Sequence, residues 1–155
     1  MENHIKVREA QLKDAPIIAD FQVKMAWETE EFALQPDVVL KGVTAAIEDP
    51  LKGDFFVAFD ENTDEIVGCL FRTYEWSDWR NGCTWWIQSL YVVPEYRKKG
   101  VFKTLYHFLK EIVDSRPDIT GLRLYVDKRN IRAQKVYDAI GMTSEHYITY
   151  EWMKD

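Results

Sequence analysis

"YVVPEYRKKGVFKTLYHFLKEIV", residues 91–113, joins the end of a β-rich run to an amphipathic helix through a basic turn holding one glycine. The β-rich part stops at Pro94, which supplies no backbone N–H to a sheet. Beyond Gly100, Val101, Phe102, Leu105, Phe108, Leu109, Ile112 and Val113 recur at helical spacing and make a wide apolar stripe. Between these elements stand Arg97, Lys98 and Lys99. The first turn of a helix presents N–H groups without intrahelical partners, and together with the helix dipole they suit a phosphate. Gly100 permits close approach of a ligand or a positive φ, and Arg97, Lys98, Lys99 and Lys103 surround it with positive charge. A charge run is also what ordinary solvated surface looks like, so on the residues alone both readings stand. The stretch lacks the GK[ST] ending of a Walker loop and the three glycines of a dinucleotide fingerprint.

Working outward, "HIKVREA" alternates as a first strand, and "LKDAPIIADFQVKMAWETEEF" reads as a helix with Asp14 at its N-cap and Pro16 in its first turn. A second helix is expected over residues 36–48, where Val39, Val43, Ala46 and Ile47 share a face and Asp49-Pro50 ends the pattern. "DFFVAFD" and "EIVGCLFRTYEW" read as strands joined by a polar turn at residues 60–65, and "CTWWIQSLYVV" as a third. After the helix from about residue 100, "GLRLYVD" is a strand, "NIRAQKVYDAIG" a helix, and "HYITYEW" a closing strand with clean alternation. The expected order is β-α-α-β-β-β-α-β-α-β in one mixed α/β (α+β) domain over residues 1–155, with helices on both faces of the sheet. The later strands need crossovers and so run parallel, while the hairpin region runs antiparallel.

At 155 residues the chain has room for one sizeable core. Hydrophobic residues are 46% and charged ones 30%, as in a water-soluble globular protein. There is no membrane-length apolar run, and the first fifteen residues are too charged for a secretory signal, so the cytoplasm is the expected location. A net charge of -6 argues against nucleic acid as a partner. Cys69 and Cys83 are expected as free thiols, and His4, His107 and His146 lie at no zinc-ligand spacing relative to them, so no metal is expected.

"LYVVPEYRKKGVFKTLYHFL" resembles the acyl-CoA-binding motif of the GNAT superfamily of N-acetyltransferases, Arg/Gln-x-x-Gly-x-Gly/Ala. Arg97, Lys98, Lys99, Gly100 and Val101 fit it, whereas Phe102 departs from its last Gly/Ala position. "NIRAQKVYDAIGM" resembles the family's second motif at Asn130, Ala133, Tyr137, Gly141 and Met142, and "MAWETEEFALQPDVVLKGV" is similar to an N-terminal segment of one subgroup. The resemblance implies central strands that splay around acetyl-CoA, with pantetheine between the "SLYVV" and "LRLYV" strands. It implies main-chain contacts from Leu90, Tyr91 and Val92, and pyrophosphate held by the segment from Arg97 to Lys103. Asn130 would bond the pantetheine arm, an alternative or addition to capping its helix. Tyr137 would be the general acid for the departing thiolate, where residue pattern alone allows core packing.

The implied reaction moves an acetyl group to a primary amine of a small molecule or peptide by direct attack in a ternary complex. Gln88 stands where several family members carry a Glu, and an amide cannot take a proton. Glu28, Glu30, Glu31, Glu75 and Asp78 are the nearby carboxylates, and no base is assigned among them. Glu28, Glu30, Glu75, Trp76 and Gln88 are candidates for the acceptor site, since carboxylates attract a cationic amine and Trp76, Trp79, Trp85 or Trp86 can pack on it. A catalytically inactive acyl-CoA-binding regulatory module is the alternative reading. Exposed strand edges leave room for a homodimer.

Overall fold

A computed structural model describes residues 4–155. The chain forms two compact units, the first ending at Leu124 and the second spanning Tyr125–Asp155.

The first unit contains β1 (Ile5–Glu9), α1 (Ala15–Glu30), α2 (Pro36–Glu48), β2 (Asp54–Asp60), β3 (Glu65–Ser77), β4 (Gly82–Val92), α3 (Val101–Ser115) and β5 (Ile119–Arg123). The sheet order is β1-β2-β3-β4-β5. The first four strands pair antiparallel, and β5 joins β4 in parallel after the α3 crossover. α2 has the bounds its apolar spacing predicts. Asp14 sits at the N-cap position of α1, but its carboxylate accepts from the Gln11 N–H and the Arg8 guanidinium, each at 2.7 Å, and not from the helix.

Helices cover both faces of this sheet. The continuous apolar run of β2 divides between them, as expected of a strand buried on both sides. Phe55 and Val57 join Cys69 and Tyr91 under Ile18, Phe21, Val43 and Ala46 of α1 and α2. Phe56 faces the other way, its ring 5.3 Å from that of Phe108 on α3. Val101, Leu105, Tyr106 and Leu109 are the buried residues of α3. Gly68 lets that helix sit directly on β3. A Cβ there would lie 2.8 Å from the Tyr91 carbonyl oxygen and 3.3 Å from the Val101 side chain.

In the second unit α4 (Ile131–Ala139) starts at Asn130, whose side chain accepts the Ala133 N–H at 3.1 Å. Gly141, at φ 88°, ends the helical run. The expected closing strand over "HYITYEW" does not form, and the described element order stops at α4. Tyr147, Ile148, Tyr150 and Trp152 are between 68% and 89% exposed. Alternation of apolar residues makes a strand only where a neighbouring backbone completes the ladder and one face is covered, and this segment has neither in the described chain.

Candidate functional site

The site begins where β4 loses one of its two neighbours. Its parallel register with β5 runs from Cys83↔Ile119 to Trp86↔Arg123 and ends there. From Ile87 to Val92 the strand pairs, among the described residues, with β3 alone. Next to this fork lies a bulge. Phe71 pairs with Ser89 and Arg72 with Ile87, so Gln88 is an extra residue on β4. Such a bulge bends a strand and re-aims the groups beyond it. The Val93 N–H donates to the Val67 carbonyl at 2.9 Å, towards β3. By alternation, the N–H groups of Leu90 and Val92 point away from β3, on the edge that β5 no longer occupies. The Val92 carbonyl has that direction too, since it accepts from Arg97 Nε at 2.9 Å.

Beyond β4, a short turn at Pro94–Tyr96 leads into the basic loop. Lys98 has φ 63° and Gly100 φ 85°, both left-handed, and α3 starts at once with no side chain capping it. A Cβ on Gly100 would meet nothing within 4 Å, so the loop opens on unfilled space in front of the helix N-terminus. Lys98, Lys99 and Lys103 are exposed around it, with the Lys99 ammonium 5.1 Å from the Tyr96 ring. This geometry suits an anionic group such as a pyrophosphate. Phe102 is half-buried, with its ring parallel to that of Tyr106 at 6.3 Å.

Arg97 points elsewhere. Besides the Val92 carbonyl, its guanidinium holds Glu28 Oε2 at 2.6 Å and lies 5.5 Å from the Tyr91 ring. The Tyr91 hydroxyl donates to Glu28 Oε1 at 3.4 Å. The Tyr91 ring belongs to the core, 5.1 Å from Phe21. Burial, and then the charge of Glu28, push its phenol up.

Of the expected acceptor residues, the structure brings Glu75 and Gln88 together at the fork. Glu75 accepts from Trp86 Nε1 at 3.2 Å and from the Arg123 guanidinium at 2.6 Å. The Thr73 hydroxyl donates to the Gln88 side-chain oxygen at 3.3 Å. Glu28 instead serves Arg97, and Glu30 is the exposed last residue of α1. Trp76 lies on the opposite face of the hairpin, two-thirds exposed at 66%. On that face Trp85 is also used internally, under the Arg72 guanidinium at 3.9 Å. Arg123 and Thr73 escaped the sequence reading. The alternation linking Thr73, Glu75 and Trp86 was a usable signal, but Arg123 joins them only through the parallel register.

In the second unit, Asn130 is committed at least to capping α4. Burial raises the phenol of the half-buried Tyr137, which keeps it protonated well past neutral pH. Burial likewise pushes the Cys69 thiol up to about 12, so it is no nucleophile. Among the described residues no group of three or more His, Cys, Asp or Glu side chains is arranged to hold a metal, and no helix is long and apolar enough to cross a membrane. An open groove of about 620 Å³ between β1 and α3 touches the loop at Gly100 and Lys103 but contains none of the fork residues.

The model of the acetyltransferase (GNAT) family matches residues 10–142. No curated protein matches the sequence. Among solved structures, a possible acetyltransferase from Clostridium difficile 630 is 43% identical, with a TM-score of 0.90 over 99% of both chains. At lower identity the likeness is one of fold. Ribosomal-protein-alanine N-acetyltransferase from Brucella melitensis biovar Abortus 2308 is 16% identical, with a TM-score of 0.74 over 97% of this chain and 99% of that one. An aminoglycoside N-acetyltransferase solved with CoA is 14% identical, with a TM-score of 0.78 over 100% and 98%. With the family model spanning most of its length, the chain belongs to the GNAT acetyltransferase family.

Proposed function

We propose that the protein is an acetyl-CoA-dependent N-acetyltransferase acting on a primary amine of a small molecule or peptide, by direct attack in a ternary complex. The observation that carries this reading is the fork beside the Gly100 turn. A strand edge with two outward N–H groups stands one short loop from an open helix N-terminus ringed by Lys98, Lys99 and Lys103. Such an arrangement suits a ligand with a polyphosphate at one end and a thioester carbonyl at the other.

Acetyl-CoA supplies the acetyl group and a thiolate leaving group. The loop around Gly100, with Val101, Phe102 and Lys103, binds the pyrophosphate through main chain and charge. Leu90, Tyr91 and Val92 offer main-chain groups to the pantetheine and the thioester oxygen, where fixed amide donors contribute most to acyl transfer. Asn130 contributes to the pantetheine arm. The neutral amine forms the new C–N bond as the C–S bond breaks. The amine proton leaves to water, and Tyr137 donates its phenolic proton to the thiolate before recovering one from solvent. Glu75 is already engaged by the Arg123 guanidinium and the Trp86 indole, and no base is assigned among the carboxylates. The same reading makes residues 1–155 one acetyltransferase domain working in the cytoplasm without a metal, and allows a homodimer. The family match across both compact units supports the single domain.

Calorimetric titration with acetyl-CoA, followed by thiol-release assays on polyamines, aminoglycosides, amino acids and short peptides, tests the proposal. Binding plus turnover on one amine class is expected. Binding without turnover on any amine would favour the inactive regulatory module, for which the ion-paired Glu75 and the amide at Gln88 already speak. Absence of binding would defeat both readings.

A further inference from the structure

We propose that Arg97 is a positioning residue that latches the phosphate loop to the C-terminal turn of α1 through Glu28, so that the loop and the α1–α2 connection order each other. The functional consequence rests on the reading of the loop as the acetyl-CoA site, but the latch itself is a property of the folded chain.

Three segments meet at this guanidinium. Its Nε–H holds the Val92 carbonyl at the end of β4, and its Nη2 holds Glu28 at 2.6 Å, in the last turn of α1. Its own backbone opens the loop whose next turn needs left-handed conformations at Lys98 and Gly100. Arg97 and Glu28 are 69 residues apart in sequence, and their side chains are 32% and 38% exposed. A guanidinium is a rigid fork, and here its donors are aimed at two fixed oxygens. Swinging it out to a phosphate would strip both the Val92 carbonyl and Glu28 of that partner. The exposed cations of the cluster, Lys98 and Lys103, face no such conflict.

On the other side of the latch, Glu31 ends α1 in a left-handed conformation at φ 51°, and Phe32 beyond it is 61% exposed. This connection has little packing of its own to fix it. Glu28 also accepts from the Tyr91 hydroxyl, so it is oriented from the core side as well as by Arg97. Ordering the loop around an anion therefore favours one geometry of the α1 terminus, and by reciprocity a ligand that orders that terminus tightens the loop.

The test compares wild type with Glu28→Gln, Arg97→Gln, Arg97→Lys and the Glu28→Gln/Arg97→Gln double variant. Acetyl-CoA affinity is read by calorimetry, and amide hydrogen exchange is read on ligand-free protein. A latch predicts that Glu28→Gln, although Glu28 is no phosphate ligand, weakens binding about 5–20-fold, in the usual range of site coupling. The double variant should be no worse than Arg97→Gln alone. Arg97→Lys should fail to restore affinity, because an ammonium cannot serve both oxygens in the same geometry. Exchange should quicken at residues 97–100 and 28–32 in each single variant and stay unchanged in the middle of α3. Wild-type affinity in Glu28→Gln together with rescue by Arg97→Lys would overturn the proposal and return Arg97 to the phosphate. Unchanged exchange in Glu28→Gln would overturn it too. If wild type binds no acetyl-CoA, the proposed function falls, and the exchange measurement alone still decides the latch.

Discussion

Gly100→Asp should separate binding from folding at the loop proposed to hold the pyrophosphate. Gly100 sits at φ 85°, where an L-residue costs about 1–2 kcal/mol. A Cβ there has open space around it, so no steric clash adds to that cost. Aspartate at a helix N-terminus returns about 0.5–1 kcal/mol through the dipole. The net destabilisation is therefore about 1 kcal/mol, a shift of about 2–4 °C in Tm for a chain of this size. The effect on the ligand is much larger. A carboxylate about 4 Å from one phosphate charge is repelled by about 4 kcal/mol at an effective dielectric of about 20. With about 1.4 kcal/mol per tenfold, affinity for acetyl-CoA should fall at least about 500-fold. Gly100→Ala is the control, since it carries the backbone strain without the charge and should lose about tenfold at most. Calorimetry with acetyl-CoA and a thermal melt on the same preparations read both quantities. Affinity within about threefold of wild type in Gly100→Asp, with wild type binding normally, would refute the placement of the pyrophosphate at this turn.

Four further outcomes are expected. Tyr137→Phe should lower kcat about 10²–10⁴-fold while sparing acetyl-CoA affinity, as for loss of a positioned proton donor; a loss under about threefold in steady-state rates would remove Tyr137 from the mechanism. Because burial holds that phenol above its ordinary value, no alkaline fall in wild-type rate should originate from it below about pH 10. For Asp14, burial alone would raise the carboxyl, but hydrogen bonds from Arg8 and the Gln11 N–H outweigh it and hold the folded-state pKa low. Its stabilisation is thus complete above the unfolded value of about 3.9 and is lost as pH falls through the lower folded value. Asp14→Asn should cost about 1–3 kcal/mol at pH 7 and flatten the acid limb of urea-unfolding midpoints, whereas an unchanged limb would mean the pair contributes nothing. Gly68→Ala should cost about 1–3 kcal/mol in urea unfolding, because its Cβ would meet the Tyr91 carbonyl of β4 at 2.8 Å and the Val101 side chain of α3 at 3.3 Å; neutral behaviour would show that both the β4 backbone and α3 give way freely.

The legible parts of this chain were those fixed by local chemistry. The apolar face of residues 36–48 and the Asp49-Pro50 stop predict α2, and the lone glycine before an apolar stripe allowed the positive φ found at the start of α3. What sequence could not show depends on partners far along the chain. Arg97 reads as one more cation in a run of three, and only the folded chain brings Glu28 to it. Glu75 reads as a free carboxylate until the parallel register places Arg123 beside it. The closing strand failed for the complementary reason. Its alternation is a statement about faces, and a face has no meaning without a neighbouring strand and a covering layer.

The fork also explains why an antiparallel meander needs a parallel strand at its end to make this site. A fifth antiparallel strand would follow β4 through a tight turn and could pair with it along its whole length. The crossover through α3 instead brings β5 back to pair with residues 83–86 of β4, and the same crossover supplies the helix N-terminus that the loop presents. The Gln88 bulge lies just beyond the last β4–β5 pair, where neither ladder constrains β4 on both sides. An extra residue there disturbs only the β3 ladder, whereas two positions earlier it would have disrupted both. The open edge and the helix N-terminus therefore arise from one topological choice, and the bulge of the β3–β4 ladder sits where that choice leaves room for it, with Arg72, Trp85 and Leu70 buried nearby. Changes to the loop tune what the site holds, but its existence depends on where β5 stops.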